Sequence, residues 1–271
     1  MASKSRSLRN APTQEDASLR CIELLGGNVR HTEELLFGGL EVFLIARPTG
    51  GGGGGDIYCI HSCGHGALAK FVLLDVTGHG QARDGVAQVV HNLLHRYDDE
   101  TQPAHLLELL SQEYDQLAPP NVLTTAVSAA YQPDSGEFRF ANAGQPRPLQ
   151  WSAQRRQWTS VQPTKESDCG LPLGIRPDAC YTEESVILAE RDVLFLSSDG
   201  LTEARNGGDE FLEPEGVVKL LTESTADTSP RATLVEMAAV FLRRLDQFRS
   251  GKDFEDDITL LWLRRLPARA R

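Results

Sequence analysis

Short apolar runs, broken by glycine, proline and acidic residues, recur along the chain and predict more strand than helix. GLEVFLIARP (39–48) is rich in β-branched and aromatic residues and reads as a first strand. Six glycines, Gly50 to Gly55, follow it, and DIYCIHSC (56–63) reads as a second. FVLLD (71–75) is continuously apolar until it stops at an acid, the pattern of a buried strand. LTTAVSAAY (123–131) and EFRFANA (137–143) flank PDSG, a hairpin signal. PLQW (148–151) and QWTSV (157–161) flank another polar turn, and SVILA (185–189), DVLFLSSD (192–199) and ITLLWLRR (258–265) complete the strands.

Helical spacing appears in three places. Val86, Val89, Val90, Leu93, Leu94 and Tyr97 form one face over 82–97, a stripe that reads as core. Pro103 opens a second helix over 103–117, and Pro119-Pro120 ends it. Ser229-Pro230 opens a third over 230–248, with Leu234, Met237, Phe241, Leu242, Leu245 and Phe248 as its apolar face. Residues 18–37, with Leu19, Ile22, Leu25, Leu35 and Leu36 around Gly26-Gly27, read as a broken helical stretch. Residues 1–17 are polar and are expected to be disordered. Strands, two helices, many antiparallel strands, a helix and a last strand make an α+β fold with helices packed over antiparallel sheets. The expected organisation is a tail and helical lead-in over 1–38, one domain over 39–265, and a C-terminal tail over 266–271.

Composition narrows the function. Hydrophobic residues make up 40% and charged residues 24%, as in an ordinary globular protein. The net charge is -11; residues 1–20 are +2, which leaves -13 for the rest. So acidic a body is a poor partner for a phosphate backbone, which argues against nucleic acid. No apolar run reaches the length of a membrane span, and the N-terminus lacks the apolar core of a secretory signal. Five scattered cysteines then read as reduced thiols in cytoplasm. Arg264, Arg265, Arg269 and Arg271 read as a solvated terminus.

Aspartates stand at the edges of four apolar strands. Asp56 precedes IYCI, Asp75 ends FVLL, Asp199 ends VLFLSS, and Asp256 and Asp257 precede ITLLWL. A carboxylate at the end of a buried strand is costly to desolvate, and several together repel one another. A divalent cation relieves that conflict. With only hard oxygen ligands on offer, magnesium or manganese is expected rather than zinc. Cys59, His61, Cys63 and His65 alternate along one strand face, but span too far for one tetrahedral ion and read as an ordinary hairpin.

GGDIY (54–58), DVTGHG (75–80), ANAGQPRPL (141–149), GLPLGI (170–175), SSDGLTEARN (197–206) and DDITLL (256–261) occur in that order. Together they resemble the SpoIIE/RsbU branch of the metal-dependent PPM-type phosphatases, relatives of protein phosphatase type 2C, over about residues 39–264. The resemblance implies an antiparallel β-sandwich flanked by α-helices, with two Mn2+ or Mg2+ ions in a cleft at one end. It implies that Asp75 bridges both ions and the Val76 carbonyl is a further ligand. Asp56 would serve one ion, and Asp199 and Asp256 the other, with Asp256 preferred to Asp257. Asp75 and Asp199 are then the residues on which catalysis rests. The implied reaction is hydrolysis of phosphoserine or phosphothreonine by an activated water, without a phospho-enzyme on Ser197 or Ser198. The implied substrate is a phosphorylated regulatory protein of the STAS-type anti-anti-sigma class. A catalytically weak binding module of the same fold is the competing expectation. Two positions depart from the family pattern: Cys59 stands where a second acid is often found, and Gln145 where a His is common. His79, between Gly78 and Gly80, is expected to order its loop rather than act as a general acid.

Overall fold

The computed structural model describes residues 22–27, 29–49, 54–63, 67–77, 81–117, 122–161, 170–229 and 231–267. Its elements are β1 (Ile22–Gly26), β2 (His31–Phe37), β3 (Leu40–Arg47), β4 (Asp56–Cys63), β5 (Leu68–Val76), α1 (Gln81–Arg96), α2 (Pro103–Leu117), β6 (Thr124–Gln132), β7 (Glu137–Ala143), β8 (Leu149–Ser152), β9 (Gln157–Ser160), β10 (Glu184–Ile187), β11 (Val193–Ser197), α3 (Glu213–Ala226), α4 (Leu234–Arg249) and β12 (Ile258–Arg265). The strands form two six-stranded sheets. The first has the order β1-β4-β5-β6-β7-β10, the second β2-β3-β12-β11-β8-β9. Every pairing within them is antiparallel.

The central strands read as continuous apolar runs because both their faces are buried. On β5, Phe71 and Leu73 enter the core between the sheets, while Val72, Leu74 and Val76 pack with α1 and α2. On β12, Leu261 and Leu263 face the other sheet, while Leu260 and Trp262 meet α3 and α4. The result is four layers: helices, sheet, sheet, helices. Trp262 sits 4.8 Å from the Phe195 ring and 5.7 Å from Phe241 of α4, an aromatic cluster that fixes this helix on its sheet. A capping box starts α4: the Thr233 hydroxyl accepts from the Glu236 amide, and the Glu236 carboxylate accepts from the Thr233 amide.

Three expectations are corrected. The described part of 18–37 is not a broken helix: β1 and β2 lie here, one at the edge of each sheet, while residues 18–21 and 28 lie outside the described residues. Gly27 is the reason the chain can leave β1 as it does. Its φ is +141°, and a Cβ there would lie 1.8 Å from the Asp56 carbonyl oxygen. Helix α3 was not anticipated from the sequence. Arg264 and Arg265 are not solvated, since they belong to β12. Arg264 donates to Glu41 and to the Ala232 carbonyl, and Arg265 donates to the Leu188 carbonyl at 2.6 Å. Arg269 and Arg271, and the expectations for residues 1–17 and Pro119-Pro120, lie outside the described residues.

Candidate metal centre

Side-chain alternation explains where the acids end up. Tyr58 and Ile60 of β4, Phe71 and Leu73 of β5, and Leu194 and Leu196 of β11 all point into the space between the sheets. Two residues further along the same faces stand Asp56, Asp75 and Ser198. At one end of the sandwich the filling between the sheets thus changes from hydrocarbon to carboxylate and hydroxyl. Register sharpens the effect, because Asp56 and Asp75 are direct cross-strand partners. Like charges directly opposite each other are unfavourable. The second sheet faces them with Asp199, just after β11, and Asp256, just before β12.

Carboxylate oxygens of Asp75, Asp199 and Asp256 all lie within 4.8 Å of one another. Among the described residues, this is the one grouping of His, Cys, Asp or Glu that converges so. Asp56 borders it and is 2% exposed. Its Oδ2 accepts from the Ser198 hydroxyl at 2.7 Å. Oδ1 of Asp56 and Oδ1 of Asp199 are buried and take no hydrogen bond from any described residue. Val76 ends β5 with its side chain buried in the helix-facing core, so only its carbonyl oxygen is available for a ligand role.

The electrostatics are those of crowded anions. Burial pushes the Asp75 carboxyl up to about 8, and the charges of Asp56, Asp199, Asp256 and Asp257 add to the shift. Burial likewise raises Asp56 to about 7, and the neighbouring Thr259 and Ser198 hydroxyls offset only part of the effect. Asp199 is raised by burial and by Asp256. The donor set is all oxygen, is over-supplied with negative charge and has buried acceptor atoms to spare. It fits a hard divalent cation.

Asp257 does something different from its neighbour. It is 2% exposed and accepts from the Thr49 amide at 2.5 Å, the Thr49 hydroxyl at 3.0 Å and the Gly55 amide. Thus it ties down both ends of the glycine run, while Asp256 faces Asp75 and Asp199. Gly200 allows the two acidic segments to meet. A Cβ on it would lie 2.1 Å from the Asp257 carbonyl oxygen.

Residues 66–266 match the family model of Stage II sporulation protein E (SpoIIE). This chain belongs to the SpoIIE family. Phosphoserine phosphatase RsbU of Bacillus subtilis (strain 168) is 29% identical over 165 residues, which cover 60% of this chain and 45% of RsbU. The chain therefore spans less than half the length of that relative. The RsbU and RsbW domains of Rv1364c from Mycobacterium tuberculosis superpose with a TM-score of 0.69 at 21% identity, over 90% of this chain and 62% of that one. The catalytic domain of the serine threonine protein phosphatase PstP, in complex with 2 manganese ions, has a TM-score of 0.55 at 13% identity, over 84% of this chain and 99% of that one. The fold of this SpoIIE-family chain is thus the PPM-type sandwich expected from its motifs.

The remaining family motifs serve the scaffold around the acids. In ANAGQ, Asn142 donates to the Gln145 carbonyl at 2.7 Å and accepts from its amide at 2.8 Å. Gln145, one of the two departures from the family pattern, donates its side-chain amide to Thr125, the cross-strand partner of Asp75. Leu173 of GLPLGI bridges to Thr124 next to it. Arg205 of SSDGLTEARN donates to Glu255 at 3.1 Å and so ties this string to DDITLL. Two site residues escaped sequence reasoning. Ser198 spans the sheets, donating to Asp56 and accepting from the Thr259 amide at 2.9 Å. Glu203 has its carboxyl raised by burial and by Asp199 and Asp256. Both sit inside a motif already noticed, and only their partners give them roles. Cys59 is partly buried on β4, and His61 bonds Asp98 instead of facing a metal with it. His65, Gly78, His79 and Gly80 lie outside the described residues, and nothing is described of the Cys63 side chain.

Proposed function

We propose that this protein is a metal-dependent serine/threonine protein phosphatase acting on a phosphorylated regulatory protein. One observation carries the proposal: Asp75, Asp199 and Asp256, from three separate parts of the chain, converge beside Asp56 at the end of the sandwich. The RsbU likeness and the manganese in the PstP structure support it. In this reading Asp56, Asp75, the Val76 carbonyl, Asp199 and Asp256 hold two Mn2+ or Mg2+ ions. Bound there, such ions supply an acidified water and neutralise charge on the phosphoryl oxygens.

The chain's own groups prepare that chemistry. Without cations, the ionised members of this acidic cluster repel a phosphate, so substrate binding is conditional on metal. Ser198 fixes the Asp56 carboxylate with its hydroxyl proton and is 1% exposed. It is therefore unsuited to attack phosphorus, which favours direct hydrolysis over a phospho-enzyme. Asp257 anchors Thr49 and Gly55 and so sets the backbone that leads into Asp56. The motif resemblance and the RsbU and RsbW domains of the similar structure point to a partner-switching component of the STAS type as the substrate.

Hydrolysis of p-nitrophenyl phosphate tests the reading. Activity should vanish with chelator and return with Mn2+ or Mg2+. Asp75→Asn should lower it by at least about 100-fold, since even groups one shell beyond a metal cost 10–100-fold. Equal rates for the two proteins would discard the enzyme and leave a binding module.

A further inference from the structure

The end of the sandwich away from the acids carries a second site of opposite charge. Strands β11 and β12 run antiparallel, so Val193 pairs with Arg264 at the end remote from Asp199 and Asp256. At about 3.3 Å per residue, that end lies roughly 20 Å from Asp199. There a cavity of about 530 Å³ opens between the β8–β9 hairpin, the start of β11 and the α3–α4 connection. Its size is that of a small-molecule site.

Arg156, Arg191, Arg231 and Arg264 all line this cavity, in a chain whose net charge is -11. Arg264 is neutralised by Glu41. Among the described residues, no carboxylate pairs with the side chains of the other three. Two of them occupy left-handed backbone, with φ of 54° at Arg156 and 70° at Arg191. Glycine or asparagine is the easy choice at such positions. The lining also has apolar members, Val193, Met237 and the partly exposed Trp151.

We propose that this cavity binds a small organic polyanion with a planar ring, of the nucleotide class. Guanidinium forks match phosphate oxygens in pairs, and three of them arrive without a competing carboxylate. Trp151 gives the ring a flat apolar surface, which bare phosphate would not need. The proposal is independent of the hydrolytic reading.

Calorimetry and tryptophan fluorescence on the full chain in EDTA provide the test, with ATP, GTP, adenosine and pyrophosphate as probes. Chelation leaves the carboxylate end repelling anions, so binding reports the arginine cavity. We expect saturable one-to-one binding of a nucleotide, at least about tenfold tighter than adenosine or pyrophosphate. Arg191→Glu with Arg231→Glu should weaken it at least about tenfold without changing the melting temperature. Arg156→Glu, on the exposed hairpin, serves as a second variant if the double one melts early. No saturable binding at millimolar nucleotide, binding indifferent to charge reversal, or pyrophosphate bound as tightly as ATP would each overturn the proposal.

Discussion

Neighbouring residues of one chemical type divide the labour at the acidic end. Asp256 shares its space with Asp75 and Asp199, whereas Asp257 spends its carboxylate on Thr49 and Gly55. The two should therefore fail differently. Asp256→Asn is expected to abolish metal-dependent hydrolysis while leaving urea stability unchanged or improved, because one repelling charge is gone. Asp257→Ala should lose about 1–3 kcal/mol in the same denaturation experiment, since it leaves the buried Gly55 amide and the half-buried Thr49 amide without this acceptor. A reversed pattern would exchange their assignments. The motif resemblance preferred Asp256 to Asp257, but nothing in the residues said what Asp257 does, because its partners lie some 200 positions away. Ser198 was opaque for the same reason: a serine beside an aspartate reveals nothing of a hydrogen bond to another sheet.

At the scale of elements, period and punctuation revealed most strands and three helices. What stayed hidden had weak local signals. β2 is HTEELLF, built of good helix formers with two glutamates, and pairing with β3 overrides that propensity. α3 had a readable proline at its start and Val217, Leu220 and Leu221 on its buried side. Gly216 and two valines blurred the pattern. The edge strands are structural parts of both sheets. A protein lacking residues 1–38 should lose cooperative thermal unfolding, with β3 and β4 left as open edges; a sharp melt by circular dichroism would refute this. The tight turn after β11 makes a finer prediction. Gly200→Ala must push the turn away from β12, and a shift near 1 Å should cost about 100-fold in rate. Manganese titration of activity measures it.

The whole molecule carries a charge conflict that its stability should reveal. In the folded, metal-free chain Asp75 and Asp56 are raised to about 8 and about 7, against 3.8 unfolded. Over that interval the folded state binds more protons than the unfolded one. Stability from these groups is then present at low pH and is lost as pH rises through 7 to 8. A cation held by these acids would reverse the trend, because it requires the ionised forms. Calorimetric melting with chelator should fall from about pH 5 to about pH 8.5, while the gain on adding manganese should widen. A gain of constant size would show that these acids do not meet the metal.

Each sheet contributes two of the four aspartates: Asp56 and Asp75 come from one layer, Asp199 and Asp256 from the other. Only the relative position of the layers brings the set into register. The cleft behaves as a calliper whose jaws are the two sheets. Sliding one against the other would part the two pairs of acids, and with them the proposed ligand set, at a stroke, with every bond inside each layer intact. An inhibitor of this protein need not enter the cleft; it has only to wedge the jaws.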